Sequence, residues 1–265
     1  QFLMRDFHEE PALLYLLNQE FKGIESIVSF NGKTFDLPLL QTRFALSRLE
    51  WKPRFERNHL DLLHLSRRLW RWKLASCSLN SLEQNILGVS RTDDIPGFEI
   101  PQRYFQFLRT GDGGLLEDIL RHNVVDIVSM ATLLYQLYRT AGQSPQQCEC
   151  PFEGEALARL ALEKGKTSLA LQYLEKALTS APKPNQRVRL LSAAALIFKR
   201  SQQDQKACRL WEEILDINKK DFRAYEELAK FYEHKQKDLL TAEKITSKAL
   251  AFAWQVPVLG VHHME

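Results

Sequence analysis

The chain has 265 residues, 45% hydrophobic and 26% charged, the balance of an ordinary globular protein and enough length for two units that each bury a core. No run of about 18 uncharged apolar residues is present, and the start, Gln1 to Asp6, lacks the basic and apolar regions of a signal peptide, so no membrane association is expected and a cytoplasmic location is. Net charge is +3, but residues 1–145 carry 17 basic and 17 acidic groups, so the whole excess lies behind them and global charge gives no nucleic-acid footprint.

In chain order, Phe2-Leu3-Met4-Arg5-Asp6 reads as a strand already under way, and with Gln rather than Met in first place the chain reads as a fragment. Glu9 to Lys22 carries Leu13, Leu14, Leu16, Leu17 and Phe21 on one helical face, and Gly23 stops it. Ser26 to Phe30 is a short apolar run of the kind found in buried strands, followed by an Asn31-Gly32 turn and a helix from near Thr34 to about Leu49. Asp61 to Trp70 and Leu79 to Leu87 pattern as helices. Thr92 to Pro101, with Asp93-Asp94, two prolines and Gly97, reads as a loop. Pro101 opens a helix over Gln102 to Arg109, Gly111 to Gly114 breaks it, and Leu115 to Arg139 forms a long last helix. Strand and helix alternation predicts an α/β layer fold with a partly parallel sheet. Only one or two strands are visible, which points to strands upstream of Gln1.

Thr140 to Pro151 is polar and weakly patterned, as a linker is. The expected organisation is therefore residues 1–140 as the α/β domain, 141–152 as linker, 153–254 as helical repeats and 255–265 as a tail with no assigned structure. In the repeat region small residues recur at matching places: Ala158, Ala195 and Ala229; Ala170, Ala207 and Ala242; Ala177, Ile214 and Ala249. The last two sets are spaced 37 and 35 residues apart, close to the 34 of tetratricopeptide repeats, and Pro182 falls where such repeats turn. Gly154 stands where Trp or Leu is usual and Trp254 where Pro is usual, so a plain stack of helical hairpins fits as well. Either way a stacked helical surface offers a groove, and the expected occupant is a protein partner.

The four cysteines, Cys77, Cys148, Cys150 and Cys208, make no disulfide framework and lack zinc spacing, which predicts reduced thiols. From Trp51 to Lys73 there are seven basic residues against two acids, ending in Arg67-Arg68-Leu69-Trp70-Arg71-Trp72-Lys73. Interleaved Arg and Trp suit phosphate neutralisation and base stacking, and a solvated helix face with buried Trp explains them equally.

Two elements carry candidate chemistry. In Ser29-Phe30-Asn31-Gly32-Lys33-Thr34-Phe35-Asp36, Asp36 lies just inside a helix after a strand and a tight turn, which turns its carboxylate toward the strand's end. Hard Mg²⁺ or Mn²⁺ ions take oxygen ligands of this kind. An acid in a first helical turn also simply complements the helix dipole. In His122-Asn123-Val124-Val125-Asp126, residues four apart share a helix face, so His122 and Asp126 project together. One could activate water while the other holds a metal, or both could sit on a solvated face. Asp61 opens a helix and reads first as an N-cap, with an active-site role as the alternative to capping.

Together these motifs resemble the second and third motifs of the DEDD exonuclease superfamily, and more closely the ribonuclease H-like domain of YprB-type bacterial proteins. The matching text runs through Phe30-Asn31-Gly32-Lys33, Phe35-Asp36, His59-Leu60-Asp61-Leu62-Leu63-His64, Arg67-Arg68-Leu69-Trp70, Ser76-Cys77-Ser78-Leu79, Asp94-Ile95-Pro96-Gly97 and Ile100-Pro101 to the His122 motif, over roughly residues 2–140. Such proteins also commonly carry helical repeats behind the nuclease domain. The resemblance implies a 3′-to-5′ exonuclease on single-stranded DNA or RNA working through two Mg²⁺ or Mn²⁺ ions, with Asp36 and Asp126 as metal ligands and His122 as the residue that orients or deprotonates water. Asn31, Phe35 and Asp61 would contact or frame the nucleotide. The superfamily's opening Asp-x-Glu has no counterpart in this sequence, so the implied ligand set is incomplete and the chain by itself is expected to be inactive. His122 precedes Asp126 by four positions, whereas the histidine branch of the superfamily uses five. The competing expectation is a non-catalytic fold that binds nucleic acid or acts as an interaction scaffold.

Overall fold

A computed structural model describes residues 2–92, 94–180 and 182–254. The chain divides into two compact units, Gln1–Gly142 and Gln143–Glu265.

In the front unit, α1 (Glu10–Phe21) precedes β1 (Ile27–Ser29) and α2 (Asp36–Leu46). A second strand, β2 (His59–Asp61), runs directly into α3 (Leu62–Trp70), and the two strands pair in parallel with Ile27 opposite His59, Val28 opposite Leu60 and Ser29 opposite Asp61. The sequence pattern had begun a helix at Asp61. His59 and Asp61 are instead the inward-facing ends of a strand, and Asp61 caps the helix that follows. The short helix α4 (Leu79–Leu82) widens into a π turn over Glu83–Leu87 that ends on Gly88 in the left-handed region. Helix α5 (Ile100–Thr110) leads to the long helix α6 (Gly114–Ala141), which packs on α3, α4 and α5.

The opening residues correct an expectation. Phe2 to Asp6 form no strand: the Met4 carbonyl accepts from the Tyr104 hydroxyl, and Asp6 caps a 3-10 turn over Phe7–Glu9. Local side-chain capping has taken the place of a ladder there. Phe21, Phe44, Trp51 and Phe55 meet edge to face, with centroids 4.9 to 6.4 Å apart, and bind α1 to α2 and the loop before β2. The ion pair between Glu10 and Arg43 joins the same two helices.

Among its described residues the second unit holds six α-helices in three successive pairs: α7 (Pro151–Glu163) with α8 (Thr167–Thr179), α9 (Pro184–Arg200) with α10 (Asp204–Ile217), and α11 (Phe222–Phe231) with α12 (Leu239–Ala253). Pairs also touch in series, α8 on α9 and α10 on α11. Ala170, Ala207 and Ala242, the small residues near the start of each second helix, are all buried. Of the other matching positions Ala158, Ala195, Ala177 and Ile214 are buried, whereas Ala229 and Ala249 of the last pair are half-buried. Gly154 has a packing reason: a Cβ there would stand 3.1 Å from the Ala177 Cβ and 3.3 Å from the Tyr173 carbonyl oxygen, so α7 and α8 approach too closely for the bulky residue usual at that place.

Residues 143–150 are polar in sequence but ordered by local bonds. Ser144 and Gln147 form a reciprocal capping box, Pro145 and Cys148 are buried, and the Tyr173 hydroxyl donates to the Gln143 carbonyl. All four cysteines are free. Burial pushes the Cys148 thiol up to about 11 and that of Cys208 to about 12, so both behave as small core residues rather than nucleophiles. Among the described residues no helix is long and apolar enough to cross a membrane. The tail read at 255–265 and Asp93 lie outside the described residues.

Candidate active site

The corner between β1 and α2 is built by Asp61. Its carboxylate, almost wholly buried, accepts N–H donors from Asn31 (2.9 Å), Lys33 (3.0 Å) and Leu63 (3.0 Å), so one side chain pins the turn after β1 and caps α3. Burial would raise the Asp61 carboxyl, but the three backbone donors outweigh it and hold the group below the usual carboxylate range. Asn31 adopts a left-handed φ of 66°, which Asn tolerates better than most residues, and its side-chain oxygen accepts from the Thr34 hydroxyl at 2.6 Å. Gly32 is buried with Ser29 so close that a Cβ would fall 2.5 Å from its hydroxyl oxygen. Ser29 in turn meets His59 Nε2 at 2.6 Å, and burial pushes the His59 imidazole below its ordinary value.

This corner places the residues singled out in the sequence in different states. Asp61 is a buried organiser of the turn, and Asn31 is one of the groups it holds. Asp36 and Phe35 stand exposed at the start of α2, the Phe35 ring at 63% exposure. An aromatic face open to solvent beside a helix start is suited to stacking on a base.

On α6, His122 and Asp126 lie one turn apart as their spacing requires, with His122 Nε2 3.5 Å from Asp126 Oδ2. Around them is a network the sequence reading did not find. Arg91 reaches Glu83 with Nε (2.7 Å) and Nη2 (2.6 Å), Asp126 with Nη2 (2.5 Å) and Asp94 with Nη1 (2.8 Å). Both Asp94 oxygens lie 2.9 Å from His122 Nδ1. Glu83 is fully buried and Arg91 nearly so. The bonds to Glu83, and then those to Asp94 and Asp126, raise Arg91 above an ordinary arginine despite its burial. Burial opposes the ionised form of Asp94, but Arg91 and His122 together hold its carboxyl below the usual range. A signal for Glu83 existed: it stands on the apolar stripe of Leu79, Ile86 and Leu87, where a charge needs an internal partner. Arg91 gave none, because its partners come from three separate segments.

Among the described residues no group of three or more His, Cys, Asp or Glu side chains is placed to hold a metal ion. Asp126 is engaged by a guanidinium, and His64 is 3.9 Å from Asp61 without a third group to complete a cluster. The described residues by themselves do not fit a two-metal centre. In the basic stretch from Trp51 to Lys73, Trp70 is core and Trp51 belongs to the aromatic cluster, as the buried-Trp reading requires. Trp72 is half-exposed, with the Arg71 guanidinium 4.6 Å from its ring centroid.

Residues 1–138 match the RNase_H superfamily (RNase_H_2), and the chain belongs to that family. It is 32% identical over 234 residues to the "Uncharacterized protein YprB" of Bacillus subtilis strain 168, an alignment spanning 87% of this chain and 56% of that protein. The chain thus spans little more than half the length of the curated relative it matches. A solved structure titled "Crystal structure of MamA" is similar at 15% identity and a TM-score of 0.37, over 58% of this chain and 86% of its own, a score too low to define a shared fold.

Proposed function

We propose that the front unit is the nuclease domain of a metal-dependent 3′-to-5′ exonuclease acting on single-stranded DNA or RNA, and that the helical pairs behind it bind a protein partner. Family membership supports the nuclease class. The observation that carries the finer reading is the side-by-side placement of His122 and Asp126 on α6, a base beside a carboxylate at 3.5 Å. In this reading His122 Nε2 takes a proton from water as the water oxygen bonds to phosphorus, and the bond from phosphorus to the 3′ oxygen breaks as that oxygen takes a proton from solvent, leaving the shortened strand with a 3′ hydroxyl and a nucleotide 5′-phosphate. Phe35 stacks on a base, Asp61 holds the Asn31 turn beneath it, and Asp36 and Asp126 are the carboxylates assigned to Mg²⁺ or Mn²⁺. The described residues do not complete that ligand set, so activity belongs to the full-length protein.

The test is Mn²⁺-dependent digestion of single strands labelled at either end. A descending ladder from the 5′ label and immediate loss of a 3′ label as mononucleotide are expected, with both lost in Asp36→Ala. Unchanged digestion in Asp36→Ala removes the assignment. A second reading, a nuclease fold kept as a nucleic-acid-binding or protein-interaction scaffold, is favoured by the grip of Arg91 on Asp126. It predicts retention of intact single strands under the same conditions.

A further inference from the structure

Asp94 lies in the Asp94-Ile95-Pro96-Gly97 segment, to which the nuclease reading gives no role, yet its carboxylate sits against the ring nitrogen of His122 that faces away from Asp126. Its two oxygens lie 2.9 Å from Nδ1, while Arg91 Nη1 lies 3.3 Å from the same nitrogen. These neighbours make opposite demands on the ring. Arg91 can only donate, which needs a bare Nδ1; the Asp94 carboxylate can only accept, which needs Nδ1–H. The carboxylate contact is shorter and charge-assisted, and a bare nitrogen would set its lone pair against two anionic oxygens. Arg91 Nη1 has a better acceptor of its own in Asp94 Oδ2 at 2.8 Å. The Ile95 N–H, 3.0 Å from Asp94 Oδ1, fixes the carboxylate from its other side.

We propose that Asp94 is the positioning residue of the site: it accepts Nδ1–H from His122, fixes the ring in that tautomer, and leaves Nε2 a bare acceptor turned toward Asp126. Arg91 is the internal cation that makes this arrangement stable, because it gathers Asp94, Asp126 and the buried Glu83 around one guanidinium. With the opposite tautomer, Nε2–H would donate to Asp126 and the bare nitrogen would be Nδ1, which faces Asp94 and Arg91. The meaning of the tautomer for catalysis rests on the base role given to His122 above; the tautomer itself does not.

The experiment is therefore made on the chain alone, with neither metal nor nucleic acid. Histidine is labelled with ¹⁵N, and spectra are recorded at rising pH until the His122 signals stop changing, so that the neutral ring is the form read. The His122 signals are identified by their loss in His122→Gln. The expected result is Nδ1–H in excess over Nε2–H by about tenfold or more, with Nε2–H becoming the major form in Asp94→Ala. A wild-type ring that is mainly Nε2–H overturns the proposal without any variant, and so does an Asp94→Ala ring that stays Nδ1–H. Absence of nuclease activity in the full-length protein would remove the base role and leave this assignment standing.

Discussion

The two units bury different chemistry. The front unit sets His59, Asp61, Ser66 and Glu83 inside, whereas the described part of the second unit buries Ala, Leu, Ile, Tyr, Cys and Trp side chains and, of polar ones, Gln186. Ion pairs of the second unit, such as Arg187 with Glu213 and Lys230 with Glu226, sit partly or largely in solvent. Taking a charge out of water is costly and is offset only by close partners, so a fold needed merely for packing has no use for a fully buried Glu83. Buried charges that are paired and perturbed are the kind of group found at functional sites, and they set the Arg91 network and the Asp61 corner apart from the solvent-facing ion pairs of the helical pairs.

From that contrast the largest stability losses are expected in the front unit. Arg91→Met leaves Glu83 buried without its partner and is expected to lower the unfolding free energy by about 3–5 kcal/mol in urea titration. Adding Glu83→Leu to it should restore more than half of the loss, since the cost lies in the orphaned charge. A single variant that is harmless would break the comparison. Next comes Asp61→Ala, which strands the three N–H groups of Asn31, Lys33 and Leu63 and should cost about 2–4 kcal/mol. In the second unit the vulnerable feature is steric instead: Gly154→Leu forces α7 away from α8, with an expected loss of about 1–3 kcal/mol.

Acid separates the units further. His59 is held below its ordinary 6.5 by burial, so the unfolded chain binds a proton there that the folded chain refuses. Its contribution is complete above about pH 6.5 and is lost as pH falls through the lower folded value. Asp61, whose carboxyl is depressed below the ordinary 3.8, adds a second loss that begins only near pH 4. The front unit's urea midpoint should therefore drop between pH 7 and pH 5, and His59→Gln should flatten that drop. A midpoint independent of pH over this interval would show that His59 is not held neutral by the fold.

How much of this was legible in the sequence follows from whether an element's determinants are local. The long helix α6 and the pairs α7 to α12 carry their periodicity within one segment and were readable from it. Strand β2 was not, because its three residues pass into α3 without a turn to mark the change. Phe2 to Asp6 looked like a strand on apolar content alone, and a cap at Asp6 with a bond from Tyr104 decided otherwise. Asp61 was readable as a helix cap, but its hold on Asn31 and Lys33 depends on a parallel pairing that spans 30 residues of chain. The same limit hid Arg91: its partners at positions 83, 94 and 126 converge only when the π turn, the loop and α6 are folded together.

The central claim, that His122 and Asp126 form the working face of a nuclease, is tested most directly by mononucleotide release from a labelled single strand with Mn²⁺. The full-length protein is compared with its Asp126→Asn and His122→Gln variants, each first shown to unfold at the wild-type urea midpoint. Release should fall by about 10² or more in each variant. Release equal to wild type in either folded variant would contradict the claim.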